Sequence, residues 1–449
     1  MTLKPGIPPL SRRRFIATGS AMATVNLLSQ PLRGAGAASE KLNLAVIGTG
    51  GRGQNLLDGM RSQNIVALCD VDDRSMSSAA KKFPGAKRHK DFRRMFDTQK
   101  DIDAVVVSTP DHLHFVAAMW AIKHGKHVYC EKPMTPSITQ GRALMKAAAE
   151  AGVATQMGNQ GNADEGVRRM QEWIDAGALG AVREVHCWTN KPVWPQGINR
   201  PTETPAVPDA LDWDLWLGPA PERPYHPDYL PFKWRGWWDF GSCSLGDMGC
   251  HVLNTPWRAL NLGLPTSVEA YSNGCTKETG PLSSMIYYTF PQRGTMPPVR
   301  LTWYDGNLMP PRPPELEDFY RLGDNEGCLF VGDEASMICT CYGGNPRILP
   351  KARMQEFKDV PKTIDRSPGH FDEWFAACKG GPKAGSDFER AGVLNEVVQL
   401  GNLAIRSSAD QKQTGYPVKL MWDAEAGTVT NSPDANRYLV TEPRKGWVI

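Results

Sequence analysis

Three side chains of this 449-residue chain have types and surroundings suited to moving a proton on and off a hydroxyl group. Lys132 follows the short apolar run His127–Cys130 and stands between Glu131 and Pro133. A lysine just past a buried strand can hold a hydroxyl and stabilise a developing alkoxide. Partial burial and a nearby cation would tune it for proton transfer. The plainer alternative is a surface lysine paired with Glu131. Asp247 and His251 are the second candidate. Four residues apart on a helical stretch read over 247–262 with a kink at Pro256, they fall on one face, a turn from each other. A carboxylate beside an imidazole fixes its orientation and raises its basicity, as a general base requires. Equally, Asp247 could only cap the helix and His251 could only be a packed core histidine. No third ligand falls near them in sequence, so no metal site is expected.

A glycine loop supplies the partner for such chemistry. The apolar run Leu44–Ile47 leads directly into Gly48-Thr49-Gly50-Gly51-Arg52-Gly53, which opens the helical stretch Gln54–Met60. Another apolar run, Ile65–Cys69, ends on Asp70, 22 residues after Gly48. Gly48 allows the tight turn, Gly50 lets backbone approach a pyrophosphate, and Gly53 lets helix and strand pack closely. The free N–H groups of the helix start face the phosphates. Asp70 is placed for a ribose diol. An ordinary glycine turn lacks the flanking strand, the helix and the acid. The pattern names a nicotinamide dinucleotide, and therefore hydride transfer. The acid favours NAD, and Arg74 lies near enough to admit NADP.

These residues need a scaffold that brings them together. From Leu42 to about Gly161, apolar runs alternate with helical stretches, the rhythm of a Rossmann-type, doubly wound parallel sheet. Its strand runs include Asp103–Ser108, His127–Cys130 and Val153–Met157; its helical stretches include His114–Lys123 and Thr139–Ala151. Ligands bind beyond the carboxyl ends of such strands. That edge collects Thr109, Pro110 and His114, then Glu131 and Lys132, then Asn159. Between residues 188 and 240 the composition changes, with seven of the fourteen tryptophans and ten prolines. Prolines forbid long regular elements there, so a structured loop region is predicted. Its tryptophans, Trp194 and Trp234 among them, are amphipathic plates suited to sugar C–H faces. Arg235 stands beside Trp234. Any single one of these tryptophans could instead pack beneath the loops. Runs at 267–271, 285–290, 299–304 and 328–331 read as strands of a large, open, mostly antiparallel sheet, and 370–379 and 391–404 read as helices.

Composition bounds the rest. The chain is long enough for two domains, with 41% apolar and 22% charged residues. No uninterrupted apolar run approaches the length of a membrane span. The formal charge of +3 is concentrated at the start, where residues 1–38 carry five basic residues and no acid. Without them the balance is slightly acidic, with no pull toward nucleic acid. Ser11-Arg12-Arg13-Arg14-Phe15-Ile16, a mildly apolar stretch and Ala35-Gly36-Ala37 resemble a twin-arginine signal and its cleavage site. The expectation is a periplasmic or otherwise exported protein handled by the twin-arginine machinery. The ten cysteines are not read as a disulfide framework, because a chain this large needs no staples.

Taken together, Val46–Gly53, Ser108-Thr109-Pro110…His114, Glu131-Lys132-Pro133 and Gly246-Asp247-Met248-Gly249-Cys250-His251 resemble the glucose–fructose oxidoreductase / inositol dehydrogenase / MocA (Gfo/Idh/MocA) family. Gly369–Trp374 fits the same likeness, which covers essentially all of 41–449. The resemblance implies an NAD(P)-binding domain over 41–161. It implies a C-terminal α/β substrate and oligomerisation domain over 162–449, with helices near 370–405 packed back on the first. It implies a homo-oligomer with a sugar or polyol substrate. It also implies that Lys132 contacts the reacting hydroxyl, that His251 is acid and base, and that Asp247 supports it. Asn159, Trp194, Trp234 and Arg235 are candidates to face the substrate. Two rival activities share the scaffold. One is glycoside cleavage through transient oxidation and elimination; the other is sugar binding or sensing without catalysis.

Overall fold

The computed structural model describes residues 41–323, 325–410 and 419–449. The basic leader expected to direct export lies outside the described residues. The first half of the described chain folds around six parallel strands: β1 (Asn43–Ile47), β2 (Asn64–Cys69), β3 (Lys87–His89), β4 (Ala104–Val107), β5 (His127–Cys130) and β6 (Thr155–Met157). Their order, β3-β2-β1-β4-β5-β6, is that of a doubly wound sheet with β1 near its centre. The apolar runs are continuous because both faces are covered. Leu44, Val46, Leu68, Val106 and Tyr129 point into one core with Leu56 and Trp374. Ala45, Ile47, Val105, Val107 and Val128 point into the opposite one. The helix His370–Cys378, far along the chain, supplies Trp374 and Phe375 to the first core.

The second sheet has nine strands: β7 (Val182–Thr189), β8 (Ser267–Asn273), β9 (Ser283–Phe290), β10 (Val299–Tyr304), β11 (Glu326–Gly332), β12 (Ser336–Thr340), β13 (Arg347–Leu349), β14 (Leu420–Asp423) and β15 (Thr428–Val429). Its order is β13-β12-β11-β7-β10-β9-β8-β14-β15. Only β7 and β10 pair in parallel; the other pairs are antiparallel. The helix Phe388–Asp410 joins the two layers. Its Glu396 takes two 2.7 Å bonds from Arg142 on the helix Ile138–Ala151, while its apolar residues enter the core beneath the nine-stranded sheet.

The helix read over 247–262 with a kink at Pro256 is two helices, Cys243–Val252 and Asn254–Ala259. The break falls before Pro256, which then lies in the first turn, where its missing N–H costs no hydrogen bond. Asp247 is consequently mid-helix and caps nothing. Most of the tryptophans follow the plainer reading and pack in cores. Trp188, Trp237, Trp303 and Trp374 are essentially inaccessible core residues, and Trp213, Trp216 and Trp237 build a separate small core beneath the proline-rich region.

Candidate active site

The strand ends and the proline-rich region enclose a cavity of about 570 Å³, within the range of small-molecule sites. Gly48 turns the chain out of β1 at φ +84°, and a Cβ there would meet the Ser108 carbonyl oxygen at 2.6 Å. At Gly53 a Cβ would lie 2.0 Å from the Gly48 oxygen, so only glycine lets this helix start so close to β1. The helix Arg52–Gly59 has no side-chain cap; the Gly53 and Gln54 N–H groups donate to the Gly50 and Gly51 oxygens at 2.8 and 3.2 Å, which leaves the N–H groups of Gly51 and Arg52 to meet an anion. Gly51 faces open space. The loop therefore fits a pyrophosphate. Asp70 is held ready beside it: Oδ2 accepts from the Thr49 N–H at 2.7 Å and Oγ1 at 2.9 Å, and Oδ1 accepts from the Asp72 N–H at 2.9 Å. Burial raises its carboxyl from the usual value, against these three bonds, which favour the ionised form.

Gly48, Gly50, Gly51, Arg52, Asp70, Thr109, Pro110, His114, Glu131 and Lys132 all line this cavity. Thr49 and Gly53 do not. Thr49 is fully buried and acts on Asp70, and Gly53 is a packing residue. Arg52 turns its guanidinium to Glu131, 2.8 Å away, which ties the glycine loop to the end of β5. His114 stands between two carbonyls, Pro133 at 2.7 Å and Thr109 at 2.9 Å, and so braces both loops.

At the other end, Lys132 projects from β5 to the helix Cys243–Val252. Its Nζ donates to the Asp247 backbone oxygen at 2.7 Å and to Asp247 Oδ1 at 2.8 Å. Arg235 Nε donates to the same Oδ1 at 2.9 Å. Lys132 is thus not a surface lysine held by Glu131. Burial alone would raise the Asp247 carboxyl, but Lys132 and Arg235 outweigh it and hold it well below the usual carboxylate range. The expected carboxylate–imidazole bond is not what Asp247 makes. Two cations reach the carboxylate from other elements, and they win over a neutral ring one turn away. His251 is 5% exposed, its Nδ1 has no partner, and its ring meets the edge of Tyr342 at 4.8 Å. Burial, reinforced by Lys132, pushes its pKa well down, which favours the neutral imidazole, and neither His251 nor Asp247 lines the cavity.

The substrate candidates divide. Trp234 and Arg235 line the cavity; Trp194 and Asn159 do not. Trp194 is buried, and with Phe232 and Trp234 it surrounds the Arg235 guanidinium at 5.8, 4.7 and 4.3 Å. It is part of a cation clamp, not a sugar platform. Asn159 is held in a buried network by Asn254, at 3.1 Å, and by Ser386.

Sequence reasoning passed over Asp111, which lies inside the quoted loop Thr109–His114 and lines the cavity. Burial pushes its carboxyl up to about 6, although His114, Lys132 and Arg235 oppose the shift. A group whose folded value lies above its unfolded value favours folding below the unfolded one, and that advantage is lost as pH rises through the folded one. Asp111→Asn is therefore expected to be neutral near pH 4 and stabilising by about 1–3 kcal/mol at pH 8. Urea midpoints at the two pH values test this, and an equal shift at both would contradict it.

Comparison with known proteins follows the same division of the chain. A family model described as an oxidoreductase family with an NAD-binding Rossmann fold matches residues 42–159. A second, for the C-terminal alpha/beta domain of that oxidoreductase family, matches 164–270, and together they span about half of the chain. An inositol 2-dehydrogenase of Burkholderia multivorans is 31% identical over 152 residues, 32% of this chain and 45% of that protein. A 2,7-anhydro-N-acetylneuraminate hydratase of Escherichia coli is 36% identical over 98 residues, 21% of this chain and 26% of that protein. The chain spans about a third to a half of the first curated relatives it matches. The WlbA dehydrogenase of Bordetella pertussis, solved with NADH and UDP-GlcNAcA, superposes with a TM-score of 0.59 at 18% identity. That match covers 86% of this chain and 98% of the other, and at this identity it is a likeness of fold.

Proposed function

This chain belongs to the NAD-binding Gfo/Idh/MocA oxidoreductase family, and on that premise we propose that it oxidises or reduces a secondary alcohol of a sugar, glycoside or polyol. The observation that carries the reading is one continuous cavity with the glycine loop and Asp70 toward one end and Lys132 and Arg235 toward the other. Gly50, Gly51 and Arg52 at the helix start would hold the pyrophosphate, and Asp70 the ribose. A bound nicotinamide supplies the hydride acceptor or donor. Lys132 holds the reacting hydroxyl and steadies its oxygen as negative charge develops. The family resemblance gives the acid–base role to His251, which sits one turn along the helix from Asp247 and outside the cavity lining. Asp247 holds Lys132 in place through its backbone and carboxylate oxygens. Trp234 offers an apolar face to the ring. NAD is the preferred cofactor because Asp70 would oppose a 2′-phosphate.

The basic leader supports an exported protein whose nucleotide is loaded before export and recycled between substrates. The test is to purify the protein, denature it, and identify the released nucleotide and its redox state. Inositols, pyranoses and glycosides are then screened for absorbance changes in the NADH band. Bound NAD(H) that changes redox state with one of these alcohols is the expected result. Absence of nucleotide, together with no binding of added NADH, would overturn the proposal.

The likeness to a hydratase favours a second reading, in which oxidation is transient and no NADH accumulates. Release of aglycone from a glycoside without net NADH would select it.

A further inference from the structure

We infer that residues 444–447 form a clasp over the adenosine end of the nucleotide cavity, with Trp447 as a wall of that site and Arg444 as its anchor. This rests on the nucleotide reading above. Sheet order distinguishes the two ends. Lys132 leaves β5 and Asp70 leaves β2, on opposite sides of β1 and its glycine loop. Beyond β2 comes only β3, and the residues that follow it, Lys90, Asp91 and Phe92, line the cavity together with Trp447. With the ribose on Asp70, the base of the nucleotide falls at this end.

Trp447 is built into the wall. It is 6% exposed, its ring lies 6.0 Å from that of Phe92, and the Arg93 guanidinium covers it at 4.1 Å. A fixed indole lining a cavity suits a planar heteroaromatic base. Arg444 holds the segment with an unusual set of bonds. Its backbone N–H donates to Pro219 at 3.0 Å, Nε to the Gly218 oxygen at 2.6 Å, and Nη2 to the Asp214 oxygen at 2.7 Å. Nη1 pairs with the Asp214 carboxylate at 2.7 Å. The Trp447 N–H then donates to the Arg444 oxygen at 3.1 Å.

These partners belong to the short helix Trp213–Leu217 and the turn after it, and Leu215 and Trp216 of that helix also line the cavity. The helix is tied in turn to the far rim. The Asp212 N–H donates to the Val71 oxygen at 3.0 Å, and the Asp73 N–H to the Ala210 oxygen at 2.8 Å. The residues after β2, the helix Trp213–Leu217 and the clasp therefore form a circuit of contacts around the adenosine end, closed by Trp447 against Phe92 and Arg93. Release of the nucleotide requires this circuit to open, so its residence time is set by the clasp and not by the glycine loop alone.

The experiment uses the full chain loaded with NADH. Dissociation is followed by nucleotide fluorescence after mixing with excess NAD, for wild type, Trp447→Ala, Trp447→Phe and Arg444→Ala. Loss of one aromatic contact to a base is expected to speed release about tenfold or more in Trp447→Ala. Arg444→Ala is expected to speed it too, and Trp447→Phe to stay close to wild type. Thermal unfolding of the nucleotide-free proteins identifies any variant that has not folded, and Arg444→Ala carries the test if Trp447→Ala has not. Unchanged release from folded Trp447→Ala and Arg444→Ala would overturn the clasp and leave the cofactor reading intact. A wild-type protein that binds no NADH removes both.

Discussion

Replacing Lys132 by alanine is expected to lower kcat by about a hundredfold to ten-thousandfold while NADH still binds. The lysine lines the cavity at the end remote from Asp70, so the groups proposed to hold the phosphates and ribose are untouched. What is lost is a cation fixed at both Asp247 oxygens, backbone and carboxylate, at 2.7 and 2.8 Å. Such a cation acts most strongly on an oxygen that gains charge during the reaction, so the loss should appear in kcat more than in KM. The fold should survive, because Arg235 still neutralises Asp247 at 2.9 Å. Lys132→Arg should not restore the rate, since a planar fork cannot occupy the place of a compact ammonium group. Steady-state kinetics on any alcohol that reduces the cofactor make the measurement. Near-full turnover by Lys132→Ala would remove the lysine from the chemistry.

Asp247→Asn should be the most destabilising single change at this site. Lys132 and Arg235 are 14% and 21% exposed and share this one carboxylate. Without it two cations face each other with little water, a situation that costs about 3–5 kcal/mol when a buried pair is broken. The pH dependence has a definite sign. The folded carboxyl lies well below its unfolded value, so its stabilising effect is complete above the ordinary carboxylate range. It is lost only as pH falls through the depressed folded value. The difference in unfolding free energy between wild type and Asp247→Asn should therefore be constant from pH 8 down to about pH 5 and shrink in strong acid. Urea unfolding across that range measures it. A difference that closed between pH 8 and pH 6 would point to a histidine, not to Asp247.

Much of the cofactor half was legible in the chain. The run Leu44–Ile47, the glycines and Asp70 are local signals, and each has a local physical cause: burial of a strand on both faces, a φ only glycine adopts freely, a helix start without a cap. The same holds for Lys132, which follows its strand directly. The helix carrying Asp247 and His251 was legible, and so was an interruption near Pro256, but not the residue at which it falls. Whether the chain breaks at Pro256 or ahead of it depends on what the two pieces pack against. Thr49, Gly53, Trp194 and Asn159 have the right types for a ligand site, and the fold uses them behind the cavity wall. Short polar and aromatic residues serve a wall or its support equally well, and sequence spacing does not tell them apart.

Alone, the sequence determined that a dinucleotide loop and a strand-end lysine face one edge of a parallel sheet. It also determined that an acid and a histidine share a helix face. These follow from periodicity and backbone geometry, which act over a few residues. Only the tertiary structure decided that Asp247 serves Lys132 and Arg235 in place of His251, that Asp111 is buried among them, and that Trp447 reaches back to the far end of the cavity. Each of these is a contact between residues far apart in the chain. Charge pairing and burial are set by which elements meet in space, and neither leaves a mark on local spacing.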